Sequence, residues 1–155
     1  LSIRFVVKRE INIVKQKVYE GLLDLNSAKQ WMKGLVRIER LDNGPLHVGS
    51  QWKETRKIMG TAATEHFEVI ELNEPNKIVL RCDGTKGTTG KGVFVFTYIL
   101  DLSDDHTEIT LNGEIEGLTG FSKLFAKLIV GTFQRVCARD LDALKAYLEK
   151  SEQLV

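Results

Sequence analysis

Between residues 36 and 115 the chain alternates short β-type stretches with turn signals, and no helical stretch separates them. Asp42-Asn43-Gly44-Pro45 is a turn by composition, and Gly60 divides a strand over 48–58 from one over 62–72. Asn73-Glu74-Pro75-Asn76 breaks the chain before a strand over 77–82. The Gly- and Thr-rich segment 84–92 then leads into strands over 93–102 and 107–115, joined by Ser103-Asp104-Asp105-His106. Spacing of this kind predicts an antiparallel meander. Parallel strands need long crossovers, so a doubly wound α/β sheet is excluded.

The flanks differ. Residues 3–14 alternate, with Ile3, Phe5, Val7, Ile11 and Ile13 on one face of a strand. Helical spacing follows over 15–25, with Val18, Leu22 and Leu25 on one side. Asn26-Ser27 gives a cap signal for a second short helix over 27–35 carrying Trp31 and Met32. After Gly117-Leu118-Thr119-Gly120, residues 121–150 read as one long helix. Its apolar stripe runs through Leu124, Phe125, Leu128, Phe133, Val136, Cys137, Leu141, Leu144 and Leu148. Gly131 interrupts it at a cost of about 1 kcal/mol relative to Ala, which suggests a packing or ligand-clearance role. With no linker, repeat or low-complexity tract, residues 1–155 form a single α+β domain.

Composition narrows the partners. Twenty-two Lys and Arg against 21 Asp and Glu leave a formal charge of +1, which offers no footprint for nucleic acid or an anionic membrane. Cys82 and Cys137 lie far apart and form no ligand-spaced cluster, and no signal peptide or membrane-length apolar run is found. The default location is the cytoplasm. His47, His66 and His106 lack metal-ligand spacing, so no metal or other cofactor is expected. Segment 84–92 lacks the P-loop pattern and its strand-to-helix setting, and helical flanks for a nucleic-acid clamp are missing. Lys123, Lys127, Arg135 and Arg139, with Asp140 and Asp142 nearby, read as a solvated outer helix face. Monomer and homodimer both stay open.

Several weak local signals recur in a fixed order: Ile11-Asn12-Ile13 before a helix bearing Val18-Tyr19, then Trp31, then Gly49-Ser50-Gln51-Trp52. Gly60, the run Phe67-Glu68-Val69-Ile70-Glu71-Leu72-Asn73-Glu74-Pro75, Gly92 and Thr107 continue it. The whole chain resembles the START-like helix-grip (SRPBCC) superfamily, in particular its polyketide cyclase/dehydrase-type members. The resemblance implies a seven-stranded curved antiparallel sheet wrapped around the C-terminal helix, two short helices after the first strand, and a cavity between sheet and helix. Members bind lipids, sterols, plant hormones or polyketide intermediates; a minority catalyse cyclisation or dehydration, and a related branch activates a chaperone ATPase.

On that reading the aromatic row of the sixth strand points at the long helix: Phe94, Phe96, Tyr98, Leu100 and Leu102 share one parity, as do Ile109, Leu111 and Ile115 on the seventh. The expected ligand-lining set is Phe5, Val7, Arg9, Trp31, Trp52, Phe94, Phe96, Tyr98, Leu111, Phe121, Leu124, Phe125 and Leu128. Arg9 holds the inward parity of its strand and would need an anionic partner or a rim position with access to water. Glu54 and Arg56 share parity with Trp52, as an ion pair at the pocket wall or an exposed pair with Glu65 or Glu68. If the protein is an enzyme, Arg9, Glu54 and Tyr98 are the candidates for polarising a carbonyl or moving a proton. The first expectation is a binding module for a small hydrophobic molecule, the second a cyclase or dehydratase, the third a chaperone co-activator.

Overall fold

A computed structural model describes residues 2–118 and 123–154, without the side chains of residues 123 and 124. Strand β1 (Ile3–Ile11) is followed by α1 (Lys15–Leu23) and a single 3₁₀ turn at Ala28–Gln30. Six strands come next: β2 (Leu35–Arg40), β3 (Gln51–Ile58), β4 (Thr61–Asn73), β5 (Lys77–Asp83), β6 (Val93–Ser103) and β7 (His106–Glu116). Helix α2 (Lys123–Gln153) closes the chain. The strands form one sheet in the order β1-β7-β6-β5-β4-β3-β2, and every neighbouring pair is antiparallel. This is the helix-grip arrangement.

The second short helix is present within 27–35 but is shorter than the sequence predicts, one 3₁₀ turn at Ala28–Gln30. Asp24 makes the turn, accepting from the Asn26 and Ser27 backbone N–H groups and from Ser27 Oγ at 2.6 Å. Gly34 then ends any helix with φ of +78°, and the Lys57 N–H donates to its carbonyl at 2.8 Å. A Cβ at residue 34 would collide with the Lys57 carbonyl, so only glycine lets β2 join β3 there.

Cross-strand register lines up the inward residues. Ile3, Ile115, Phe94, Cys82, Phe67 and Trp52 form one row across six strands. Phe5, Gly113, Phe96 and Leu80 form the next; the Phe5 ring occupies the space that a Cβ on Gly113 would take. A bulge between Val69 and Glu71 helps bend β4 around the helix.

Helix α2 is seated closest to the β1 side. Leu141 and Leu144 are buried with Ile11, Val18 and Ile109, at about 1.5–3 kcal/mol for each large apolar side chain. Its polar side chains also cover the open edge of β1: Gln134 Nε2 donates to the Val6 carbonyl at 3.1 Å and Lys145 Nζ to the Glu10 carbonyl at 2.8 Å. An edge strand whose free carbonyls are occupied is protected from pairing with another chain. Leu148 packs on Gly21 of α1. Gly131 has no such role, since the nearest atom to a Cβ there is the tip of the Arg135 side chain at 3.9 Å. Leu102, expected inward, is 68% exposed near the end of β6.

Candidate functional site

Where α2 leaves the β1 side it spans a gap over β3 to β6. The gap is a cavity of about 250 Å³, bounded by the inward residues of those four strands, by Phe133, Val136, Cys137 and Asp140 of α2, and by the segment from Leu22 to Met32. Alternation along β3 sends Trp52, Glu54, Arg56 and Ile58 into it, and β4 adds Ala63, Glu65 and Phe67. The aromatic wall is continuous. Trp52 stacks on Phe67 with ring centroids 5.6 Å apart, Phe67 lies 6.4 Å from Phe96, and Phe94 meets Phe133 of the helix at 5.1 Å. Leu23, Asp24, Leu25, Ile38 and Leu46 line both this cavity and a second depression beside it.

One end of the cavity is polar. Arg56 donates to both oxygens of Asp140, at 2.8 and 3.0 Å, and to the Lys33 carbonyl at 2.8 Å. Burial works against the guanidinium, yet the hydrogen bonds and charge of Asp140 hold its pKa above the ordinary value. Burial also lifts the Asp140 carboxyl, with the Arg56 hydrogen bond opposing. Two-point geometry and a guanidinium that does not deprotonate keep the pair ionised.

Glu54 stands beside this pair, 5% exposed, and its Oε1 has no hydrogen-bond partner in the protein. Burial pushes its carboxyl from 4.5 to about 7, against the pull of Arg56 and with the help of Asp140. Glu65 lies directly opposite on β4; its Oε1 accepts from Thr89 N–H and Oγ, and its Oε2 is buried without a partner. Burial also raises Tyr98, Cys82 and Cys137, the last to about 12. None of these three supplies an anion near neutral pH. What the set offers is a carboxyl that titrates near neutrality, a neutral phenol and a fixed ion pair around one end of an apolar chamber.

Of the residues expected to line the cavity, Trp31, Trp52, Phe94, Phe96 and Tyr98 do so, together with the catalytic candidate Glu54. Phe5, Val7 and Leu111 are instead packed in the filled core between β1, β7 and α2. Arg9 sits at the rim, its Nε donating to Asp142 Oδ1 at 2.6 Å and its Nη1 to the Lys8 carbonyl. Phe125 and Leu128 point outward, 56% and 61% exposed, while Ala126, Ile129 and Val130 take the inner face of the same turns. Phe121 and the side chain of Leu124 lie outside the described residues.

Asp140 is the main correction. The sequence reading set it on a solvated face, whereas it lies inside with Arg56. Its signal was available: Phe133, Cys137, Asp140 and Leu144 follow the 4-3-4 spacing of one helix stripe. Phe67 and Glu65 were equally findable, as the β4 partners of Trp52 and Glu54. Among the described residues, no group of three or more His, Cys, Asp or Glu is arranged to hold a metal ion, and no helix is long and apolar enough to cross a membrane.

A family model described as polyketide cyclase / dehydrase and lipid transport matches residues 2–149. Among curated proteins none matches the sequence. Solved structures share the fold. TTHA0849 from Thermus thermophilus superposes with a TM-score of 0.78 at 18% identity, covering 97% of this chain and 99% of that one. Major latex-like protein 151 from Panax ginseng gives 0.74 at 14%, covering 95% and 97%. The di-domain ARO/CYC StfQ from the steffimycin biosynthetic pathway gives 0.80 at 12%, covering 99% of this chain and 53% of that protein. At these identities the likeness establishes the fold alone.

Proposed function

Because the chain belongs to the polyketide cyclase / dehydrase and lipid transport family, we propose that it binds a small, largely apolar molecule between its sheet and α2. The observation that carries this reading is a void of about 250 Å³ walled mainly by aromatic and aliphatic side chains, with Glu54 beside the Arg56–Asp140 pair among its few polar groups. Ligand pockets have that composition, and the volume is just below the usual range of about 300–1,000 Å³. The apolar body of the ligand rests on Trp52, Phe67 and Phe96, and its polar head lies toward Glu54, Arg56 and Tyr98.

A second reading has the bound molecule react. It is favoured by Glu54, whose carboxyl titrates at about 7 with one oxygen unpartnered, facing the cavity that Tyr98 also lines. A buried acid poised near neutrality is suited to deliver or remove a proton at a carbonyl compound held by the aromatic wall. In a shaped chamber, positioning alone also favours one ring closure over others.

Native mass spectrometry of protein purified without heat or solvent tests the binding reading. A small-molecule adduct is expected on the unmodified chain and not on Ala63→Phe, whose new ring projects into the void. An unliganded mass, with no uptake of added 1-aminoanthracene, would contradict it.

A further inference from the structure

We propose that the polar end of the cavity recognises a protonated amine, so that the preferred ligand is a small amphipathic amine with an apolar, ring-bearing body. The inference deepens the ligand-binding reading above and rests on it. Among the described residues, four of the charged side chains lining the cavity are acidic, namely Asp24, Glu54, Glu65 and Asp140, and one, Arg56, is basic. Arg56 is committed to Asp140 and the Lys33 carbonyl. Asp24 is committed to its own turn, through Asn26 and Ser27.

Two further carboxyl groups keep an open oxygen, Glu54 and Glu65, although Glu65 Oε1 accepts from Thr89 N–H and Oγ. Glu54 and Glu65 face each other across β3 and β4, and each buries one oxygen, Oε1 and Oε2 respectively, with no partner in the protein. Burying an acceptor is costly until a donor reaches it. An ammonium brings three N–H donors and a positive charge to add to Arg56, whose own charge is paired with Asp140; a carboxylate head brings neither. One buried donor, Arg56 Nε, is also without a partner, so a hydroxyl or carbonyl elsewhere on the ligand is accommodated.

Proton linkage gives the idea a second handle. Around Glu54 stand Arg56 on its own strand, Glu65 on β4, Cys82 on β5, Tyr98 on β6, and Cys137 and Asp140 on α2. In the empty protein burial lets Glu54 keep its proton up to about pH 7. An ammonium binds the ionised form, so the proton leaves as the amine arrives. If only ionised Glu54 is competent, apparent affinity falls about tenfold from pH 8 to pH 6.

Isothermal titration calorimetry of the full chain with 2-phenylethylamine, uncharged 2-phenylethanol and anionic phenylacetate decides the matter. The amine is expected to bind at least tenfold tighter than the alcohol at pH 8, to lose about tenfold at pH 6 and to release a proton there, while phenylacetate does not bind. Glu54→Gln is expected to erase both the preference for the amine and its pH dependence; the comparison of the three ligands on the unmodified chain stands without that variant. Alcohol or phenylacetate binding as tightly as the amine overturns the amine proposal and leaves the cavity reading intact. No binding of any of the three, or of neutral 1-aminoanthracene, overturns both.

Discussion

Arg56 of β3 and Asp140 of α2 meet at the cavity wall through two hydrogen bonds of 2.8 and 3.0 Å, the side chains only 16% and 14% exposed. The pair ties the helix to the sheet where apolar packing gives way to the void. Removing one partner strands the other charge in a poorly solvated place. Asp140→Ala is therefore expected to lower stability by about 3 kcal/mol, measured by urea denaturation. The double variant Arg56→Met/Asp140→Leu is expected to recover most of that loss. Equal damage in the single and double variants would show that the charges are not coupled.

Glu54 makes stability depend on pH in a defined direction. Its folded pKa, about 7, lies above the ordinary 4.5, so the folded state holds the proton more tightly than the unfolded one. The associated stabilisation is complete below about pH 4.5, declines as pH rises, and is gone above about pH 7. Two and a half pKa units correspond to about 3 kcal/mol. Glu54→Gln is thus expected to match the wild type near pH 4.5 and to exceed it by up to about 3 kcal/mol at pH 8. Parallel denaturation curves at pH 5, 6, 7 and 8 give the difference directly; a constant offset would mean that Glu54 is ionised throughout.

Phe5 and Phe96 occupy the same cross-strand row, separated by Gly113, and differ in what they touch. Phe5 is enclosed by protein, while Phe96 already turns part of its surface to the void. Phe5→Ala is expected to cost about 3–5 kcal/mol. Phe96→Ala is expected to cost about half as much, because fewer contacts are lost from a side chain facing a gap. Reversal of that order in chemical denaturation would place the void elsewhere.

Arg9 gives the contrasting case. Its bond to Asp142 lies at the rim, with side chains 35% and 56% exposed. Arg9→Ala is expected to cost less than about 1 kcal/mol and to leave probe affinity unchanged, both measurable on one preparation. A loss of probe binding would draw Arg9 into the site.

The architecture was legible because its signals are local: period-two alternation in the strands, Gly and Pro in the turns, one long apolar stripe in α2. Three kinds of detail were not. The curvature of the sheet decides which inward residues meet protein and which meet the void, so Phe5, Val7 and Leu111 share parity with cavity residues yet pack solidly. Helix rotation decides that Ala126, Ile129 and Val130 face inward and Phe125 and Leu128 outward, a choice that apolarity alone cannot make when all five are apolar. Asp140 was read by its charge instead of its place on the stripe, and only the guanidinium reaching it from β3 makes its inward position tolerable.

The sharpest check is a fluorescence titration of the purified chain with neutral 1-aminoanthracene, run beside Ala63→Phe. Saturable binding to one site in the wild type, abolished by the ring at position 63 while urea stability is retained, is the predicted result. Absence of saturable binding to the wild type, or identical binding to both proteins, would contradict a ligand chamber between the sheet and α2.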